Sequence, residues 1–208
     1  MQKYKTEQEV FWASSEWASE YIKRNSIEIV KNNITFFSDI FKQCNSDIKS
    51  VIEFGSNIGL NLHAIDKLFN DVNIAAVEIS NEAISELKQL PFVNKIYHES
   101  ILDVEIEERS DFVFIKGVLI HISPDYLDVV YQKLYDTSNR YILIAEYYNP
   151  TPVSIGYRGN SDKLFKRDFA GEILDKYPDL RLIDYKFVYH RDNNFPQDDI
   201  TWFLLEKR

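Results

Sequence analysis

The segment Val51-Ile52-Glu53-Phe54-Gly55-Ser56-Asn57-Ile58-Gly59 sets an acidic residue two positions before one glycine and a second glycine four positions after it. At a strand-to-helix turn, glycine at 55 lets the backbone pass close to a bound molecule that a Cβ would strike. A carboxylate at Glu53, near the strand end, accepts hydrogen bonds from a cationic amino group. Glu78 follows 23 residues after Gly55, at the end of the next apolar run, where a carboxylate holds both hydroxyls of a ribose. Each feature alone has a bland counterpart, since βα turns tolerate glycine and strand-end charges are usually solvated. Together they point to a nucleoside with an amino-acid tail.

A nicotinamide dinucleotide needs the same ribose carboxylate, so the turn must separate the two. The dinucleotide fingerprint GxGxxG admits a pyrophosphate at its middle glycine, and here that position is Asn57 and the last is Leu60. A pyrophosphate would meet side chains. The expected cofactor is therefore S-adenosylmethionine, with a nicotinamide-dependent oxidoreductase as a disfavoured alternative. A non-catalytic scaffold that keeps the cofactor fold is another alternative, opposed by the intact turn and Glu78.

A methyl transfer to a hydroxyl needs a base, whereas a carboxylate acceptor does not and an amine can lose its proton later. His121 is the first candidate, following the fourth strand on the ligand side, with an ordinary pKa near neutrality. Its plain counterpart is a helix-start histidine bonded to backbone. His190, beside a closing hairpin, is the second; His63 and His98 suit the scaffold. Glu146-Tyr147-Tyr148-Asn149 ends the fifth strand, at the edge where open α/β sheets bind ligands, and Tyr148 and Asn149 are placed to orient acceptor hydroxyls. Tyr157, Arg158, Lys163, Lys166 and Arg167 form a basic excess suited to a carboxylate or phosphate, or else an ordinary solvated loop. Asp198 and Asp199 are too few for a metal site, and no metal is expected. Phe11 and Trp12 stand at helical spacing, as core or as ligand contacts. Tyr21 and Arg24 follow, and Arg24 on a lid helix would hold a carboxylate.

The elements that position these residues alternate. The first 45 residues read as helices, with Glu7, Phe11, Trp12 and Ser15 on one stripe and Ile27, Val30, Ile34, Phe37, Ile40 and Phe41 on another. Strands follow at 49–54, 72–79, 95–98, 111–115 and 141–147, with helices over 60–69, 81–89 and 125–136. Such alternation specifies parallel βαβ units, hence an α/β, Rossmann-like doubly wound sheet. Residues 149–167 read as a long loop, 169–176 as a helix, and 180–189 with 201–206 as an antiparallel hairpin closing a mostly parallel seven-stranded sheet. The organisation expected is a helical extension over 1–45 and a cofactor-binding domain over 46–208.

A 208-residue chain with 45% hydrophobic residues has enough core for one such unit. Its net charge of −9 opposes attraction to nucleic acid and anionic lipid. The single cysteine, Cys44, forms no internal disulfide, which suits a cytoplasmic location. No run approaches the roughly 18 apolar residues of a membrane span, and no signal peptide is evident. The oligomeric state is left open.

Taken in order, Glu53–Gly59, Val77-Glu78-Ile79, His98–Asp103 and Asp111–Ile122 resemble the successive motifs of class I methyltransferases over about half the chain. More narrowly, the chain resembles the methylases associated with pseudaminic acid biosynthesis. That likeness runs through Thr6-Glu7-Gln8 with Phe11-Trp12, Tyr21–Asn25, Lys116–Ile122, Ala145–Pro152 and Asp198–Trp202. The superfamily pattern implies that Glu53, Gly55, Asn57 and Gly59 sit at the methionine end and Glu78 at the ribose, with Ile79 beside it. It implies that Ser100 and Ile101 flank adenine and that Lys116, Gly117 and His121 lie where methyl group and acceptor meet. The narrower likeness implies a small polar acceptor, a nonulosonic acid or another sugar, free or nucleotide-linked, methylated on oxygen or nitrogen.

Overall fold

The computed structural model describes residues 4–14, 28–45, 47–157 and 160–208. Its chain divides into two compact units, Met1–Glu105 and Ile106–Arg208.

In the first unit, helix α1 (Glu7–Trp12) starts at a reciprocal cap. Thr6 Oγ1 accepts the Glu9 N–H, and Glu9 accepts the Thr6 N–H. Helix α2 (Glu28–Phe41) buries Val30, Asn33, Phe36, Phe37 and Ile40 at helical spacing and lies against α3 (Leu60–Leu68). Strand β1 (Ser50–Phe54) is buried from Val51 to Phe54, the pattern of a strand covered on both faces. It pairs in parallel with β2 (Asn73–Glu78), and β2 with β3 (Val93–His98). Helix α4 (Asn81–Leu87) joins the latter two, with Ser80 as its N-cap.

In the second unit, β4 (Ser110–Lys116) leads through 3-10 turns at Leu119–His121 and Pro124–Tyr126 into α5 (Leu127–Thr137). Strand β5 (Ser138–Glu146) pairs in parallel with β4. After helix α6 (Phe169–Lys176), strands β8 (Leu180–Val188) and β9 (Ile200–Lys207) form an antiparallel hairpin, with β9 antiparallel to β5. The seven-stranded sheet has the order β3-β2-β1-β4-β5-β9-β8, the expected mostly parallel architecture with an antiparallel edge.

One expectation is overturned. Residues 149–167 are largely not a loop: β6 (Val153–Tyr157) and β7 (Asn160–Lys166) form a separate antiparallel ribbon. Tyr157 pairs directly with Asn160, so only two residues separate the strands in sequence. Val153-Ser154-Ile155-Gly156-Tyr157 does alternate with the period of a strand, but Pro150, Pro152, Gly156 and Gly159 around it are loop signals, and Val153 and Ile155 are exposed.

Candidate functional site

Apolar β1 delivers its last residues to a turn built on left-handed backbone. Gly55 and Gly59 have φ of 79°, and Asn57, a residue type that tolerates this region, has φ of 46°. At Gly59 an added Cβ would lie 2.7 Å from Leu90 Cδ1, so this glycine also serves close packing of the helix it starts. The Asn57 side chain is taken up locally, its Oδ1 accepting the Ile58 N–H at 2.8 Å.

Glu78 ends β2 facing that turn. Its Oε2 accepts the Asn57 N–H at 2.7 Å, and its Oε1 accepts the N–H groups of Ile79 and Ser80 at 2.8 Å each. Burial raises its pKa above the ordinary carboxylate value; the three amides and His98 oppose this. A carboxylate offers about four acceptor positions, of which three are taken here. The remaining one, on Oε2 beside the glycine turn, suits a ribose hydroxyl. Backbone without Cβ at Gly55 and an acidic acceptor at Glu78 fit a nucleoside.

Glu53 is fully buried, and its Oε1 accepts from Asn61 Nδ2 at 2.6 Å. Asn61 is itself oriented by Asn33 of α2, whose Nδ2 donates to Asn61 Oδ1 at 3.0 Å. Neither asparagine was among the expected site residues. Asn33 was legible as a polar residue on the apolar stripe of α2.

Ser100 lies just after β3, buried, while its neighbour Ile101 is half-buried. The Ser100 hydroxyl donates to Glu9 Oε1 at 2.5 Å and accepts the Leu102 N–H at 3.1 Å. Lys5 also pairs with Asp103. Helix α1 is thus tied to the segment after β3, and its Phe11 and Trp12 rings meet edge to face at 5.1 Å, both half-buried. Tyr21 and Arg24 lie outside the described residues.

In the second unit β4 ends at Lys116, and Gly117 turns the chain with φ of 67°. His121 is buried at the end of the following 3-10 turn, against which β7 packs. Glu146, at the end of β5, accepts the Val118 and Leu119 N–H groups at 2.9 Å each. The sequence places Glu146 at the ligand edge, closing the apolar run Tyr141–Ala145, but assigns it no role.

The remaining acceptor-side candidates scatter over the same unit. Tyr148 is exposed, its ring 5.8 Å from that of Phe203. Asn149 donates to the Thr151 carbonyl at 2.5 Å, within its own turn. Arg167 Nε donates to Glu172 at 2.6 Å, and Tyr131 bonds the other oxygen of Glu172. Tyr157 and Lys163 fall in β6 and β7, and Arg158 lies outside the described residues. His190 Nδ1 faces both oxygens of Asp199, at 2.8 and 2.9 Å. Among the described residues no group of three or more His, Cys, Asp or Glu could hold a metal ion, and no helix is long and apolar enough to cross a membrane.

Solved structures to which this fold is similar include methyltransferases. The plantazolicin methyltransferase BpumL, in complex with SAH, superposes with a TM-score of 0.66 at 15% identity, over 97% of this chain and 94% of that one. An S-adenosylmethionine-dependent methyltransferase from Leishmania major gives 0.71 at 12% identity, over 97% and 81%. The glycopeptide N-methyltransferase MtfA, complexed with S-adenosylmethionine, gives 0.62 at 9%, over 84% and 87%. The chain has the class I methyltransferase fold. No protein-family model matches it, and no curated protein is similar in sequence.

Proposed function

We propose that this chain is an S-adenosylmethionine-dependent methyltransferase acting on oxygen or nitrogen of a small polar acceptor. The observation that carries the reading is Glu78, joined to the glycine turn through the Asn57 amide and retaining an acceptor position there. Glu78 and Ile79 hold the ribose, while Glu53, oriented by Asn61, takes the amino group of the methionine end. Bound there, the cofactor supplies a methyl group on an already electrophilic sulfonium, so the protein has to align the acceptor and exclude water.

The acceptor-side candidates belong to Ile106–Arg208: Lys116, Gly117 and His121 at and after the end of β4, Tyr148 and Asn149 after β5, and Arg158, Lys163 and Arg167 of the basic stretch in sequence. His121, or His190 oriented by Asp199, takes the proton of a hydroxyl acceptor. The basic residues suit an anionic acceptor. The motif resemblance to pseudaminic acid-associated methylases makes a nonulosonic acid or nucleotide sugar the acceptor to try first, in a cytoplasmic setting.

Calorimetry with S-adenosylmethionine and S-adenosylhomocysteine tests the cofactor. Micromolar-range binding is expected, and no binding of either to folded protein would sink the reading. Mass spectrometry of a metabolite pool incubated with protein and cofactor then identifies the acceptor by its added methyl. Binding without any transfer would favour a scaffold.

A further inference from the structure

The second unit holds a carboxyl group whose surroundings satisfy only half of it. Glu146 is 2% exposed. Its Oε1 accepts the amides that open the Leu119–His121 turn, whose first N–H groups have no partner within so short a helix. Its Oε2 is buried with no hydrogen-bond partner among the described residues. A neutral acid keeps both amides on the carbonyl oxygen and carries the proton on Oε2. A charged one leaves a buried anionic oxygen unsolvated.

We propose that Glu146 is the positioning residue of the acceptor-side segment Lys116–His121, holding the turn closed while its carboxyl is neutral and releasing it when the carboxyl ionises. The role in methyl transfer rests on the reading of that segment as the acceptor side. The hinge is at hand: Gly117 is left-handed, and nothing lies within 4 Å of the position its Cβ would take. Movement there would carry His121 with it.

The direction follows from linkage. Burial pushes the Glu146 carboxyl up to about 7, while the amides of Val118, Leu119 and Ile120 and the Lys116 charge pull the other way without cancelling it. Of the other groups around it, Tyr131 of α5 is an un-ionised phenol bonded to Glu172, which Arg167 balances. His121 shares the turn itself. An opening that hydrates Glu146 returns it to ordinary acidity, so ionisation favours the open state. Between pH 5 and 8 the opening equilibrium should grow on the order of fifty-fold.

Amide hydrogen exchange on the full-length, cofactor-free protein reads this directly. After correction for intrinsic exchange, protection at Val118 and Leu119 should fall tens of fold from pH 5 to pH 8, while Leu143 in the middle of β5 falls less. Glu146→Gln should stay protected and flat. Protection in the parent protein that does not change with pH, as when an internal water satisfies Oε2 in both states, overturns the proposal. So does a Glu146→Gln profile parallel to the parent's. Should the variant fail to fold, the parent's own Val118 and Leu119 amide shifts decide, since they must titrate together near pH 7. Failure of cofactor binding by calorimetry would leave the gated turn standing but remove its catalytic meaning.

Discussion

At the scale of single residues, two buried carboxylates dominate and do different work. Glu78 gathers three backbone amides and keeps one acceptor position towards the glycine turn. Replacing it with glutamine puts an NH2 where an oxygen accepted an amide, at a cost of about 1.5 kcal/mol or more. Glu78→Gln should weaken S-adenosylmethionine binding at least about tenfold by calorimetry; unchanged affinity would remove the residue from the site. Glu146 is a stability element with a pH sign. Its folded pKa of about 7 lies above the ordinary 4.5, so its contribution is fully present below about pH 4.5 and lost as pH rises through 7. The difference amounts to about 3 kcal/mol. Urea unfolding should show the protein less stable at pH 8 than at pH 5, and Glu146→Gln should remove most of the difference. Glu78 is raised by burial too and adds in the same direction.

At the scale of elements, turns and caps set where side chains arrive. Gly59 and Gly117 share left-handed φ, but only Gly59 is crowded, by Leu90 and Leu87. Alanine at 117 should cost about 1 kcal/mol, from backbone strain alone. Alanine at 59 adds overpacking and should cost about 3 kcal/mol. Equal unfolding midpoints for the two variants would contradict this account. Helix α1 is six residues long and owes its position to Glu9, which closes the cap and accepts from Ser100. Glu9→Ala should therefore raise hydrogen exchange throughout Glu7–Trp12 while leaving β1 and β2 protected, and uniform exchange would refute the anchoring.

At the scale of the whole molecule, a ligand that binds only the folded chain stabilises it by mass action. At a hundredfold excess over Kd the gain is about 2.7 kcal/mol, or about 5–10 °C in Tm for a chain of this size. S-adenosylhomocysteine should give that shift and NAD none. A shift with NAD alone would restore the oxidoreductase alternative that Asn57 and Leu60 oppose.

Local pattern was enough for the alternating strands and helices, because apolar runs bounded by glycine and cap residues are local signals. It also singled out the β1–α3 turn, where Glu53, Gly55 and Gly59 stand out by type and spacing and Glu78 follows at the end of the next strand. What it missed depends on partners remote in sequence. Ser100 meets Glu9 across 91 positions, Asn33 meets Asn61 across 28, and Glu146 meets Val118 across 28. The ribbon β6–β7 escaped for a different reason, since Pro150, Pro152, Gly156 and Gly159 gave loop signals that outweighed the alternation of Val153, Ile155 and Tyr157. The fold was thus written locally. Only tertiary structure decided which carboxylates the turns hold, because hydrogen bonding and burial are set by whatever the chain brings alongside.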